Sequence, residues 1–297
     1  MQTSTFFASF AVVLALITGC GQDPSPGFKL ASDFRPPVLG NEPLEHNPNA
    51  LVGLPRLRTA AEEVFISRSS YLLSFAPARR GLHWAAWRLR GDDLGVASRQ
   101  NNYELDSDLE AYLGPRGGHA VGTDEYKGTC YDRGHQVPSA DRTRTVDENR
   151  LTFKMSNMMP QTAYLNRVLW EHLESYERTL VRAGKKLIIF SGGLNDIQLA
   201  PIGPNHDISV PSAYFKVIAE LADGHEPQVV VAVIMPNVTS GGIRGDDDRE
   251  GLCADAQEKD LAGKAGSDAE DWRRYVTTLE EVERRAGMTW PFLRDSH

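Results

Sequence analysis

The chain has 297 residues, enough for one large domain or two modest ones, and 41% of them are apolar, which suffices to close a core and excludes disorder over most of the length. A formal net charge of -8 excludes the global positive field by which a simple nucleic-acid binder attracts phosphate. Any site for nucleic acid must therefore be locally basic.

The opening MQTSTFFASFAVVLALITG carries no charged side chain. Its apolar run from Ala11 to Ile17 has the length of a signal-peptide core and is too short to span a bilayer. The segment ends in LITGC, which resembles the lipobox of bacterial lipoproteins, where the precursor is cut before the cysteine and that cysteine is lipidated. The resemblance implies a lipoprotein signal over 1–19, a lipidated Cys20 as the first mature residue, and a membrane as partner. It also implies an exported, lipid-anchored protein of the cell envelope, on its periplasmic or outer face, including the cell surface. No Lys or Arg precedes the apolar run, a departure from the usual pattern, and a plain signal peptide with an incidental cysteine is the alternative. Residues 20–60 read as a tether: from Gln22 to about Arg58 the sequence is rich in Pro, Asn and Gly, lacks helical or strand periodicity, and favours extended, stiff conformations.

Residues 61–297 show no second linker and no internal repeat and read as one domain. SYLLSFAPARRGLHWAAWRL predicts two strands around a turn at PARRG, while KKLIIFSGG, VPSAYFKVIAEL and PQVVVAVIMPN predict further strands, being short apolar runs rich in Val, Ile and Phe. Between Pro160 and Gly184, the apolar residues Leu165, Leu169, Leu173, Tyr176 and Leu180 recur at spacings of three and four and predict a helix with one buried face. A last helix is predicted over DAEDWRRYVTTLEEVERRAG, ended by Gly287. Strands and helices without regular alternation indicate a mixed α+β domain. Asp246, Asp247 and Asp248 lie in a polar, glycine-bearing stretch and read as a solvated loop in preference to a metal site. With Cys20 acylated, Cys130 and Cys253 remain, and an oxidising compartment would let them pair; two buried free thiols are the alternative.

The chemistry concentrates in YDRGHQVPSADRT, Tyr131 to Thr143. Cleaving a phosphodiester requires a nucleophile made from water, charge neutralisation at phosphorus, and stabilisation of the departing oxygen. His135 can accept a proton near neutral pH. If the segment is a strand, Arg133 shares its face and can bind a phosphate oxygen bidentately, while Asp132 alternates to the other face and holds the segment in place. Gly134 leaves room for close approach.

Together with LTFKMSNMMPQTAYLNRVLWEHLESYERTL, the segment YKGTCYDRGHQVPSADRT resembles the DNA/RNA non-specific endonuclease family, the ββα-metal or His-Me finger nucleases, in motif order and spacing. ISVPSAYFKVI and LEEVERRAG extend the likeness to most of the chain from about residue 65 onward. The resemblance implies a mainly antiparallel central sheet flanked by helices. It implies His135 as general base, Asn166 as the one direct protein ligand of a divalent cation, and Glu174 as the acid that holds water on that cation. It further implies Arg178 as the clamp on the phosphate and leaving group, Asn157 as the residue that positions the histidine and water, and Arg99 as an upstream substrate arginine. On an ideal helix Asn166, Glu174 and Arg178 fall within an arc of roughly 120° beside the leucine face. A single neutral amide ligand suits Mg²⁺, with Mn²⁺ as a substitute, because Mg²⁺ keeps most of its water. One departure is Cys130, where relatives often carry Gly ahead of the aromatic that precedes DRGH.

The expected activity is metal-dependent hydrolysis of DNA and RNA with little sequence preference. A catalytically weak or inactive nucleic-acid-binding envelope lipoprotein is the alternative, and a phosphodiesterase for small or lipid phosphates is a third reading. The sequence leaves open whether an inhibitor protein is a further partner.

Overall fold

The structure, a computed structural model, describes residues 36–295 apart from Asp223 and Glu270. In chain order its strands are β1 (Val38–Gly40), β2 (Arg56–Leu57), β3 (Val64–Arg68), β4 (Tyr71–Ala76), β5 (Gly81–Leu89), β6 (Asp132–His135), β7 (Met158–Gln161), β8 (Leu187–Leu194), β9 (Ala213–Glu220), β10 (Gln228–Pro236), β11 (Met288–Thr289) and β12 (Arg294–Asp295). The α-helices are α1 (Ser107–Leu113), α2 (Val146–Leu151), α3 (Glu171–Arg182), α4 (Arg249–Gln257), α5 (Leu261–Ala265) and α6 (Leu279–Ala286).

Eight strands form one sheet in the order β1-β3-β4-β5-β8-β9-β10-β12. Every pairing from β3 to β10 is antiparallel, and only the edge strands β1 and β12 run parallel to their neighbours. This is the expected α+β class with a mainly antiparallel sheet. Apolar clusters cover both faces. One, containing Leu73, Trp87, Ile189 and Tyr214, receives Leu165, Leu169 and Leu173; the other, containing Trp84, Phe190 and Phe215, receives Leu279, Val282 and Trp290. Burial on both faces explains why the strands read as continuous apolar runs with no in-out alternation. Among the described residues no helix is long and apolar enough to cross a membrane.

Three local expectations need correction. Residues 38–57 were expected within the tether but are folded onto the domain: β1 adds an edge beside β3, and β2 pairs with β11. Asn47 and Asn49 are buried there, donating to Ser67 Oγ (2.8 Å), the Arg68 carbonyl (3.1 Å) and the Ser69 carbonyl (3.1 Å). A loop secured by amide hydrogen bonds leaves no apolar period to read. The last helix is two elements, a 3-10 turn at Asp271–Tyr275 and α6. Val276 and Thr277 join β10 instead, through a bridge to Val233 and a hydrogen bond to the Ala232 carbonyl, and Thr278 caps α6 by accepting from the Glu281 amide. The helix before Gly184 begins as a π-helical segment, Leu165–Trp170, and becomes α-helical only from Glu171. The 100° per residue construction therefore holds along α3 but not back to Asn166, because an i→i+5 turn accommodates more residues per revolution.

The expected signal over 1–19 and the lipidated Cys20 lie outside the described residues.

Candidate active site

DRGH is the whole of β6, paired antiparallel with β7 so that Asp132 faces Gln161 and His135 faces Met158. The chain then runs from β7 through the π segment into α3, giving two strands and a helix around one centre. Gly134 is required by this ribbon: a Cβ there would stand 2.1 Å from Oε1 of Gln161, which packs across it. Just upstream, Cys130 has φ 64°, the left-handed region that favours glycine, and it is disulfide-bonded to Cys253 of α4. Arg249 of the same helix donates to the Gly128 carbonyl at 2.7 Å, so α4 holds the entry to β6 at two points.

Arg133 and His135 share a face, as strand alternation predicts. The His135 ring is buried edge-on between Tyr103 (centroids 5.8 Å) and Phe153 (4.9 Å). Each aromatic also carries a guanidinium, Arg133 over Tyr103 at 4.0 Å and Arg99 over Phe153 at 4.9 Å. Arg99 is bonded to the neutral groups Asn101 Oδ1 (2.8 Å) and Ser139 Oγ (2.5 Å). Among the described ion pairs, neither Arg99 nor Arg133 has a carboxylate partner. Burial first, and then the charges of Arg99 and Arg133, push the imidazole down to about 3. The ring is thus neutral at physiological pH. Nε2 is buried without a hydrogen-bond partner, so in the neutral ring it can carry the free lone pair.

Asn157 is fully buried and all its amide hydrogen bonds go to backbone: Oδ1 accepts from Val137 N (2.9 Å), and Nδ2 donates to the carbonyls of Val137 (3.0 Å) and Thr152 (2.9 Å). It fixes the chain two residues beyond His135.

A cleft of about 700 Å³ is lined by Asp132, Arg133, Asn166, Arg167 and Tyr103 among others. Asp132 accepts from Asn166 Nδ2 at 2.9 Å and from Arg167 Nη2 at 2.6 Å. Asp132, expected on the face away from Arg133 and holding its own segment, instead lines the same cleft as Arg133 and holds Asn166 and Arg167 of the π-helical segment. With the amide nitrogen so tied, Oδ1 of Asn166 is the atom left for a cation. Asp132 lies three residues from His135, about 10 Å along a strand.

Glu174 and Arg178 fall in a second group. Arg178 bonds Asp141 Oδ1 (3.2 Å) and Ser175 Oγ (2.9 Å), and Asp141 also accepts from the Trp87 indole (3.0 Å). Glu174 is partly buried, with 13% of its side chain open, and this burial pushes its carboxyl up to about 8 against the opposing charges of Lys216 and Arg178. Among the described residues no hydrogen bond or ion pair joins Glu174 or Arg178 to Asn166. The two groups meet at the turn Ser139–Asp141, whose first residue holds Arg99 and whose last holds Arg178.

Sequence reasoning missed Tyr103, Phe153, Asp141, Glu177 and Lys216. Only Lys216 had a visible signal, a lone cation inside the apolar run AYFKVIAEL. The aspartates 246–248 have structural roles: Asp246 accepts from Ala200 N, Asp247 pairs with Arg244, and Asp248 caps α4 through Gly251 N. Among the described residues no group of three His, Cys, Asp or Glu is arranged to hold a metal.

The DNA/RNA non-specific endonuclease family matches residues 54–292. The chain is 32% identical over 282 residues to a nuclease of Nostoc sp., covering 93% of this chain and 89% of that one. It is 31% identical over 183 residues to mitochondrial endonuclease G of Bos taurus, a match that spans 58% of each chain. A solved EndoG/EndoGI complex shares the fold at a TM-score of 0.59 and 21% identity, over 82% of this chain and 89% of that chain. A DRGH ribbon feeding a helix, a neutral buried histidine and a family match over residues 54–292 lead to one conclusion: the chain belongs to the DNA/RNA non-specific endonucleases and is a nuclease of the ββα-metal fold.

Proposed function

We propose that the chain hydrolyses phosphodiester bonds of DNA and RNA with little sequence preference, using a divalent cation and His135 as general base. The observation that carries this reading is the buried, unpartnered Nε2 of a neutral imidazole set between two guanidinium groups without carboxylate partners. Asn166 would hold the cation through Oδ1; with one neutral amide donor, Mg²⁺ fits best and Mn²⁺ can replace it. When bound, the cation supplies Lewis-acid charge to the phosphoryl and leaving oxygens. His135 takes the proton from the attacking water while Tyr103 and Phe153, packed edge-on, hold the ring. Arg133 and Arg99 bind non-bridging phosphate oxygens. Glu174 orients water in the site, and Arg178, held by Asp141, contributes positive charge on the leaving-group side.

The phosphate also tunes the base. Arg99 and Arg133 are two of the causes that hold the imidazole down, and an anion bound between them offsets both, so the ring becomes more basic in the complex. Plasmid DNA and a structured RNA, each incubated with Mg²⁺ with and without chelator, test the reading. Both should be cut only with the cation, and His135→Ala should slow cutting by at least about 100-fold while retaining binding. Uncut polymers, or an active His135→Ala, overturn it.

Export with lipidation at Cys20 is proposed on the LITGC sequence. A disulfide beside the site agrees with an oxidising compartment. Cys20→Ser should move the protein from the membrane to the soluble fraction; unchanged fractionation refutes anchoring there.

A further inference from the structure

Lys216, in the middle of β9, is fully buried with its ammonium 4.2 Å over the Trp170 ring and 5.5 Å from the Trp87 ring. Its ion-pair partner is Glu177 at 3.0 Å, also fully buried, and Glu174 stands 4.0 Å away. Taking two ions out of water commonly outweighs their attraction, and apolar replacements of similar volume are often as stable or more so. Stability of the fold therefore gives no reason for a lysine here. Position does. Lys216 faces Ser191 across the β8–β9 pairing, and Ser191 donates to the side-chain oxygen of Gln136, the residue after His135, at 3.2 Å. The ammonium thus lies between α3 and the sheet, beneath the catalytic ribbon. Of its two carboxylates, Glu177 is closed off while the Glu174 side chain keeps 13% of its surface open.

We propose that the Lys216–Glu177 pair is a positioning device: it sets the rotation of α3 on the sheet so that the Glu174 carboxyl and the adjoining Arg178 guanidinium are presented to the hydrolytic site. This rests on the catalytic reading above. Glu174 and Arg178 are four residues apart, one helical turn, so a single anchor fixes both. The indole faces of Trp170 and Trp87 favour a cation over a neutral side chain and keep the ammonium from swinging away.

The test uses the full mature chain with Lys216→Met, Lys216→Gln and the apolar pair Lys216→Met/Glu177→Leu. Cleavage of a labelled DNA duplex is measured well below each variant's melting temperature, with His135→Ala as control. The expected result is a fall in kcat of about 10- to 100-fold in all three, with KM for DNA changed less than about threefold, as for loss of an outer-layer support. The apolar pair should melt at or above the wild-type temperature, separating catalysis from stability. Folded variants with kcat within about threefold of wild type overturn the proposal. If His135→Ala is inactive in the same assay, that failure leaves the catalytic reading standing; an active His135→Ala shows that the catalytic reading itself has failed.

Discussion

The Cys130–Cys253 disulfide offers two separable magnitudes. It closes a loop with a sequence separation of 123, and chain entropy alone then puts its stabilisation at about 5 kcal/mol. Cys130 also occupies a left-handed backbone conformation at φ 64°, where a side chain costs about 1–2 kcal/mol. The loss of the cross-link is common to two variants, Cys130→Ala/Cys253→Ala and Cys130→Gly/Cys253→Ala, so their difference isolates the backbone. Glycine relieves the left-handed penalty but is the freer residue in the unfolded chain, which returns about 0.4–1 kcal/mol. The glycine variant should be the more stable by roughly 0.5–1 kcal/mol, and both should fall below wild type by up to about 5 kcal/mol. Urea unfolding without reductant measures all three. An alanine variant as stable as the glycine variant would refute the claim that this position needs a positive φ. A loss under about 1 kcal/mol on removing both cysteines would refute the role of α4 in holding the entry to β6.

Two further predictions concern the cleft. Since His135 has its pKa depressed to about 3 in the free protein, it stays neutral, and competent as a base, down to that pH; the acid limb of kcat/KM should lie far below 6.5, and that of kcat should lie above it because bound phosphate raises the ring's basicity. A pH–rate series on a short duplex decides this, and an acid limb near 6.5 in kcat/KM would contradict it. Asp132→Ala frees the amide of Asn166, so the Mg²⁺ concentration for half-maximal cleavage should rise about 10- to 100-fold. A Mg²⁺ titration unchanged by the substitution would show that Asp132 does not orient the ligand.

Continuous apolar runs marked the five main strands, and apolar periodicity the leucine face of the helix, because both are buried and burial leaves a pattern. The same reasoning failed wherever polar bonds replaced apolar burial. Asn47 and Asn49 anchor residues that looked like linker, and Thr278 with Val276 breaks a helix that composition would continue. In the site, Arg133, His135 and Gly134 were legible because strand alternation and steric room are local properties. Tyr103 and Phe153 were not, since nothing near either residue shows that two rings far apart in the sequence close on one imidazole. The π segment was also hidden: the residues Leu165 to Trp170 satisfy an α-helical apolar period while their backbone winds differently.

An acidic nuclease needs cations that its own carboxylates do not neutralise, and the fold places two of them beside His135. Arg68, Arg80, Arg167 and Arg178 each have a carboxylate within 3.2 Å. Arg99 and Arg133 rest on aromatic faces, which support a guanidinium through the ring quadrupole without cancelling its charge. The attraction for phosphate is therefore produced at the one place where hydrolysis is proposed, with no need for the field of the whole molecule. Burial first, reinforced by the same two charges, keeps His135 unprotonated. Local basicity and a neutral base are thus one arrangement of two arginines and two rings, compatible with a net charge of -8.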